Sequence, residues 1–314
     1  MKIKPLLYAL VSLIASMLLL GGWRGSPSAE TIPTYTAAVM AKSYDEKRAK
    51  ALEKFEEILG RYFEERAGIK IRLKAMTFPD LGKAIEKGSV DLIWGYGLVV
   101  SMDLSQRFPI IPILAPTLGE ERRAPYKRLV IAAKDSIASM ADLKGKRLTH
   151  VGDEQWSFEL LLFKVWAAEK LGVKDIRQFF ELKAKEPDEG YFIPASKRGA
   201  IYSLMIKEAD LAIAHEFEYI TQEKLTPYAV RERTEILPFF DSQTGFVEAP
   251  VFVRKGVNRV DIDKLVKVLM EMPSDPEGKQ ILLSSKISGF VKVSEQDYRP
   301  VRAVIAKKEG LAIR

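Results

Sequence analysis

The sequence predicts an α/β fold with mainly parallel sheets, and three observations carry that expectation. Short apolar or alternating runs of strand composition recur between amphipathic stretches along almost the whole chain. At 314 residues, 47% hydrophobic and 29% charged, the chain is ample for one large or two medium domains. Two segments, KGSVDLIWG (87–95) and KEADLAIAH (207–215), share one plan of helix end, acid and short buried strand. Two lobes of similar design would produce that echo.

In chain order, TYTAAVM (34–40) has strand composition. A helix follows, opened by a capping box of Ser43 with Glu46, carried by Leu52, Phe55, Leu59 and Tyr62, and closed by Gly68. IKIRLKA (69–75) alternates strictly, as a half-buried strand does, FPDLGKAIEKG reads as a short helix, and VDLIWG as a strand ending at Gly95. PIIPILAP (109–116), RLVIAA (128–133) and RLTHV (147–151) are further strands. A long helix runs from Trp156 to about Leu171, with Asp153 as the expected N-cap and Gly172 as its stop. RQFFEL reads as a strand, EPDEGYFIP as a surface loop, KRGAIYSLMIKEA as a helix, DLAIAH as a strand and EFEYITQEKL as a helix. APVFVRKG adds a strand, and VDIDKLVKVLMEM, DPEGKQILLSS and a terminal helix starting near Arg299 complete the chain.

Composition excludes several classes of chemistry. Without cysteine there is no disulfide, Cys-ligated metal or Cys nucleophile, and with only His150 and His215 a His-rich metal site is disfavoured. No Gly-rich phosphate loop, GxSxG elbow or HExxH occurs, so no enzyme and no cofactor are expected. Lys2 and Lys4 precede the apolar run Leu6–Leu20 and a small-residue tail, the plan of a secretory signal over residues 1–29. An uncleaved anchor over 5–23 is the alternative, and both place the bulk of the chain outside the cytoplasm, as a periplasmic protein. The net charge of +7 falls to +4 once Lys2, Lys4 and Arg24 are removed, with no basic block, so nucleic acid is not an expected partner.

Four stretches resemble the substrate-binding proteins of phosphonate and phosphite import systems, within the type II periplasmic binding fold. They are FEEILGRYFEERAGIKIRLKAMTFPDLGKAIEKGSVDLIWG, YKRLVIAAKDSIASMADLKGKRLTHVGD, IKEADLAIAHEFEY, and the run from APVFVRKG to EQDYRPV. Together they span nearly all of residues 35–305, and the closing DPEGKQIL…GFVKVSEQDY is the more specific part. The resemblance implies two α/β lobes, residues 30–133 with 243–314 and residues 134–242, with a ligand cleft between them. It implies a monomer that captures a small molecule and delivers it to a membrane ABC transporter permease. A ligand-sensing module for a membrane receptor kinase is the alternative, and an enzyme of the same fold is a weaker one.

The same resemblance places the site at strand ends, so WGYG, HVGDEQW and AHEF should face one cleft. Tyr96 and Trp94 are candidate ligand contacts, the alternative for Trp94 being core packing beside the helix at 78–87. GDEQWSFE takes the place of a Ser/Thr-rich turn whose hydroxyls hold phosphonate oxygens in the family. Here only Ser157 keeps that chemistry, beside Asp153, Glu154, Gln155 and Trp156. Glu154, Gln155, Trp156 and Ser157 are candidate ligand contacts, as are His215 and Glu216 after DLAIA. Asp91, Asp210 and His150 are read as structural. A carboxylate in that turn repels an anion in a partly dry cleft. Phosphate and simple alkylphosphonates are therefore expected to bind weakly, and an amine-bearing or zwitterionic ligand fits better.

Overall fold

TYTAAVM and the alternating run after it pair in parallel as β1 (Thr34–Met40) and β2 (Lys70–Met76). Ile71, Leu73 and Met76 are buried while Lys70, Arg72 and Lys74 are exposed, as the alternation requires. The structure, a computed structural model, describes residues 31–40, 46–119, 124–151, 157–185, 198–238, 240, 245–285 and 287–313. The signal segment 1–29, Ser43 of the capping box and most of the 185–195 loop lie outside the described residues. So do Asp153, Glu154, Gln155 and Trp156. Among the described residues no helix is long and apolar enough to cross a membrane.

The first sheet has the order β11-β4-β10-β3-β1-β2, with β3 Leu92–Trp94, β4 Ile110–Thr117, β10 Val251–Arg254 and β11 Gly289–Lys292. Its connecting helices are α1 (Glu46–Ala67), α2 (Phe78–Glu86), α3 (Leu98–Arg107), α8 (Arg259–Glu271), α9 (Pro276–Ser284) and α10 (Arg299–Gly310). The second sheet has the order β7-β6-β8-β5-β9, with β5 Arg128–Ala133, β6 Arg147–Val151, β7 Glu181–Lys185, β8 Leu211–His215 and β9 Thr234–Ile236. Its helices are α4 (Phe158–Leu171), α5 (Arg198–Met205), α6 (Glu216–Leu225) and α7 (Pro227–Arg233).

Three expectations need correction. The sheets are mixed: β1, β2 and β3 are parallel, as are β6, β7 and β8, but β10, β11, β5 and β9 run antiparallel to their neighbours. The strand RLVIAA, placed with the first lobe by a division at 133, pairs in the second sheet as β5. The long helix begins at Phe158, and its N-cap is Ser157, whose Oγ accepts from the Leu160 N–H at 3.3 Å. That cap role therefore falls to Ser157 and not to Asp153. Elements absent from the sequence reading are α3, α7, β9 and β11.

Both sheets are covered on two faces, so their central strands feed alternate residues into different cores. Ala37, Val39, Leu92 and Trp94 join the core under α1, α8 and α9, whereas Ala38 and Ile93 join the one under α2, α3 and α10. In the second sheet Val130, Ala132, Leu211 and Ile213 face α4, while Ile131, Ala212 and Ala214 face α5. Helix α4 also reaches the first sheet's core: Phe158, Leu161 and Val165 share a cluster with Val301 and Val304 of α10. Lys307 Nζ to Glu169 Oε1 at 2.8 Å reinforces this contact. That doubled burial explains why α4 reads as almost uniformly apolar.

Asp91 and Asp210 explain the echo between the two segments. Asp91 Oδ2 accepts the Thr36 N–H of β1 at 3.0 Å, and Asp91 Oδ1 pairs with Arg254 at 2.7 Å. Asp210 repeats this against β6, taking the Arg147 N–H at 2.9 Å and the Arg147 guanidinium at 2.7 Å. Each acid caps a parallel neighbour at the amino end of its strand, so both roles are structural. The Arg147 hydrogen bonds hold the Asp210 carboxyl below the ordinary carboxylate range, despite partial burial that opposes the shift. A depressed pKa stabilises the fold above the unfolded value of about 3.9, and that contribution is lost as pH falls through the folded value. Asp210→Asn is expected to cost about 2 kcal/mol at pH 7 by urea unfolding, with the difference from wild type shrinking below about pH 4.

Candidate functional site

The chain passes between the sheets twice, between β4 and β5 and between β9 and β10, and the two crossovers are tied together. Tyr126 and Phe246 form an antiparallel bridge, with Tyr126 N donating to Phe246 O at 3.0 Å and Phe246 N to Tyr126 O at 2.8 Å. The Tyr126 hydroxyl accepts from Leu118 N at 2.6 Å and donates to Leu118 O at 2.8 Å, folding the first crossover on itself. Gly119 has φ +70°, and a Cβ there would come within 2.9 Å of the Phe217 ring, so only glycine lets α6 approach this segment.

Directly beyond Tyr126, β5 opens with Arg128, whose side chain is wholly buried. A guanidinium stripped of water needs charged partners, and two carboxylates supply them. Arg128 Nε donates to Glu159 Oε1 and Nη2 to Glu248 Oε1, both at 3.0 Å, while Nη1 donates to Tyr126 O at 3.1 Å. Glu159 lies in the first turn of α4, where the helix dipole favours an acid. The rings of Phe158 and Phe246 lie 5.9 and 6.0 Å from the guanidinium carbon and pack edge-on to each other at 4.9 Å.

His215 completes the cluster from the carboxyl end of β8, where its register partner in β5 is Arg128. Its Nδ1 accepts the Phe217 N–H at 3.3 Å, so the ring's proton sits on Nε2, which donates to Glu248 Oε1 at 2.5 Å. The imidazole is thus the N-cap of α6 as well as a Glu248 partner. Among the described residues, two carboxylates face one guanidinium in this buried cluster. The Glu248 carbonyl accepts from the Tyr298 hydroxyl at 3.0 Å, and burial, with Glu248 nearby, pushes that phenol well above its ordinary pKa.

The predicted contacts distribute around this cluster. Trp94 and Tyr96 are both 1% exposed and enter different cores. Trp94 faces the α1 and α8 side, opposite the helix at 78–86, in the cluster that Phe217 packs against. Tyr96 shares its core with Phe158 and Phe246 and donates its hydroxyl to Met76 O at 3.0 Å. Ser157 caps α4, with its Oγ 3.4 Å from Glu159 Oε2. Glu216 Oε2 accepts the Lys127 N–H at 3.1 Å. The ends of β3 and β8, and the start of α4, therefore meet through shared cores, and the 152–156 turn is outside the described residues. Arg128, Glu159 and Glu248 are absent from the sequence reading. Their signal is a charge inside an apolar run, in FELLLF and FVEAPVF, or opening one, in RLVIAA, because an isolated buried charge requires a partner.

Two α/β lobes joined by paired crossovers define a two-lobed periplasmic binding protein. The family model for "ABC transporter, phosphonate, periplasmic substrate-binding protein" matches residues 43–298, and the chain belongs to that family. Solved structures share the fold. A Xanthomonas citri protein bound to ATP matches with TM-score 0.61 and 16% identity, over 89% of this chain and 98% of its own. The binding protein component of an ABC phosphonate transporter from Pseudomonas aeruginosa gives 0.58 and 16%, over 89% and 88%. A Prochlorococcus marinus protein in complex with methylphosphonate gives 0.59 and 15%, over 88% and 98%. A sequence search of curated proteins returned no match.

Removing Arg128 takes away the guanidinium that the buried Glu159 and Glu248 carboxylates share. Arg128→Met is expected to cost about 3–5 kcal/mol in urea unfolding, and adding Glu159→Gln to it should recover part of that loss.

Proposed function

We propose that this family member is exported by a signal over residues 1–29 and captures a small ligand between its lobes for an ABC permease. Its anion site is altered, so that phosphate and simple alkylphosphonates are poor ligands and an amine-bearing or zwitterionic molecule is preferred. The observation that carries the reading is the sequence between β6 and α4, which puts Asp153 and Glu154 where the family holds its phosphonate oxygens with hydroxyls. Two like charges about 6 Å apart at an effective dielectric of about 20 repel by roughly 3 kcal/mol, about two decades in Kd. Ligand contacts are assigned to Glu154, Gln155, Trp156 and Ser157 of that turn, to Trp94 and Tyr96, and to His215 and Glu216. The lobes would close around the ligand because it binds the closed state better.

Calorimetric titration of the mature chain should give no micromolar binding for phosphate or methylphosphonate. A thermal-shift screen over phosphonates, sulfonates, amino acids and quaternary amines should give its largest shift with an amine-bearing compound, and Glu154→Gln should reduce that shift. Micromolar methylphosphonate binding overturns the altered-site reading. Intact mass of the exported chain should correspond to an N-terminus at or near Glu30; retention of residues 1–29 contradicts cleavage.

A further inference from the structure

We infer that Glu248 is a positioning residue that sets both helix N-termini bordering the proposed cleft and ties them to the crossovers; this rests on the site reading above. Glu248 lies in the second crossover, just before β10, yet it acts on the second lobe. One of its carboxylate oxygens, Oε1, receives Arg128 Nη2 at 3.0 Å and His215 Nε2 at 2.5 Å. Through His215 the path ends at α6: the imidazole is held with its proton on Nε2, which leaves Nδ1 free of a proton to cap the Phe217 N–H. Through Arg128 it ends at α4. Arg128 Nε holds Glu159 Oε1, Glu159 Oε2 stands 3.4 Å from Ser157 Oγ, and that oxygen caps the Leu160 N–H.

Both capped turns follow strand ends that border the proposed cleft, at β8 and at the turn after β6. The base of the network is anchored on the other side, because the Glu248 carbonyl takes the Tyr298 hydroxyl, next to α10, which itself packs on α4. Buried charge-assisted bonds of this kind are directional and weakly screened, so loss of the central charge releases its partners together. The consequence is that a carboxylate no ligand need touch fixes the orientation of two ligand-facing turns relative to the hinge. It also fixes the His215 tautomer, and with it the hydrogen-bonding character of the β8 end.

The test needs no ligand, so its failure is distinct from a failed ligand screen. Residue-resolved amide hydrogen exchange is measured on the full mature chain carrying Glu248→Gln. The Phe217 and Leu160 N–H groups are expected to exchange at least about threefold faster. The Val260 and Gly278 N–H groups, capped by Asn258 and Asp275 in α8 and α9, are expected to stay unchanged. Unchanged exchange at Phe217 and Leu160 overturns the proposal, and so does an equal rise at all four positions, which marks general destabilisation. If E248Q shows no cooperative thermal transition, Tyr298→Phe removes only the hydroxyl on the Glu248 carbonyl and is read by the same four amides. The imidazole 15N shifts of His215 supply a second signature: Glu248→Gln should move them away from the Nε2–H tautomer, and an unmoved tautomer counts against the proposal.

Discussion

Arg128 is a full positive charge with no access to water, and the middle of this protein is arranged around that fact. The guanidinium is compensated by Glu159 from α4 and Glu248 from the second crossover, with the Phe158 and Phe246 rings packed beside it. Each partner comes from a different part of the chain, so a single charge requires β5, α4 and the return segment to assemble together. Buried ion pairs contribute little net stability over well-packed apolar groups, but breaking one is expensive. What such a cluster contributes is uniqueness of arrangement, and here the arrangement concerns the place where two lobes meet.

The hydrophobic architecture supports that meeting point without deciding it. Each sheet is sandwiched between helices, and α4 serves two cores at once, its Phe158, Leu161 and Val165 facing the first lobe and Leu160, Phe163 and Trp166 the second. The Tyr126–Phe246 bridge and the Tyr126 hydroxyl hold the crossovers side by side. Buried aromatics fill the space around the polar cluster, which lowers the local dielectric and strengthens the bonds within it. The strand-capping acids Asp91 and Asp210 lie at the amino ends of their strands, away from this region, and their work is to start the strands in register.

Legibility in the sequence followed the length and periodicity of each element. β2 shows in its alternation and α1 in its helical spacing, because both have one exposed face. β9 and β11 escape because three- and four-residue strands carry too little pattern, and α3 because LVVSMDLSQR is buried along much of its length. RLVIAA is legible as a strand but its sheet is not, since nothing local says on which side of a crossover it pairs. The cap of α4 was read at Asp153, a good N-cap residue; Ser157 is equally good and sits where the apolar helix begins.

The sequence by itself determined the α/β class, the order of most elements and the family, because burial on one face or two leaves a periodic mark and spacing survives divergence. It also marked His215 and the turn before α4 as strand-end positions. Only the tertiary structure decided that His215 caps α6 through Nδ1 while Nε2 faces Glu248, and that Ser157 is a cap. The same holds for Arg128, Glu159 and Glu248, which form one buried cluster. Those properties depend on which charges share a dry space, and residues 31, 33 and 120 positions apart come to share it only when the two crossovers are laid side by side.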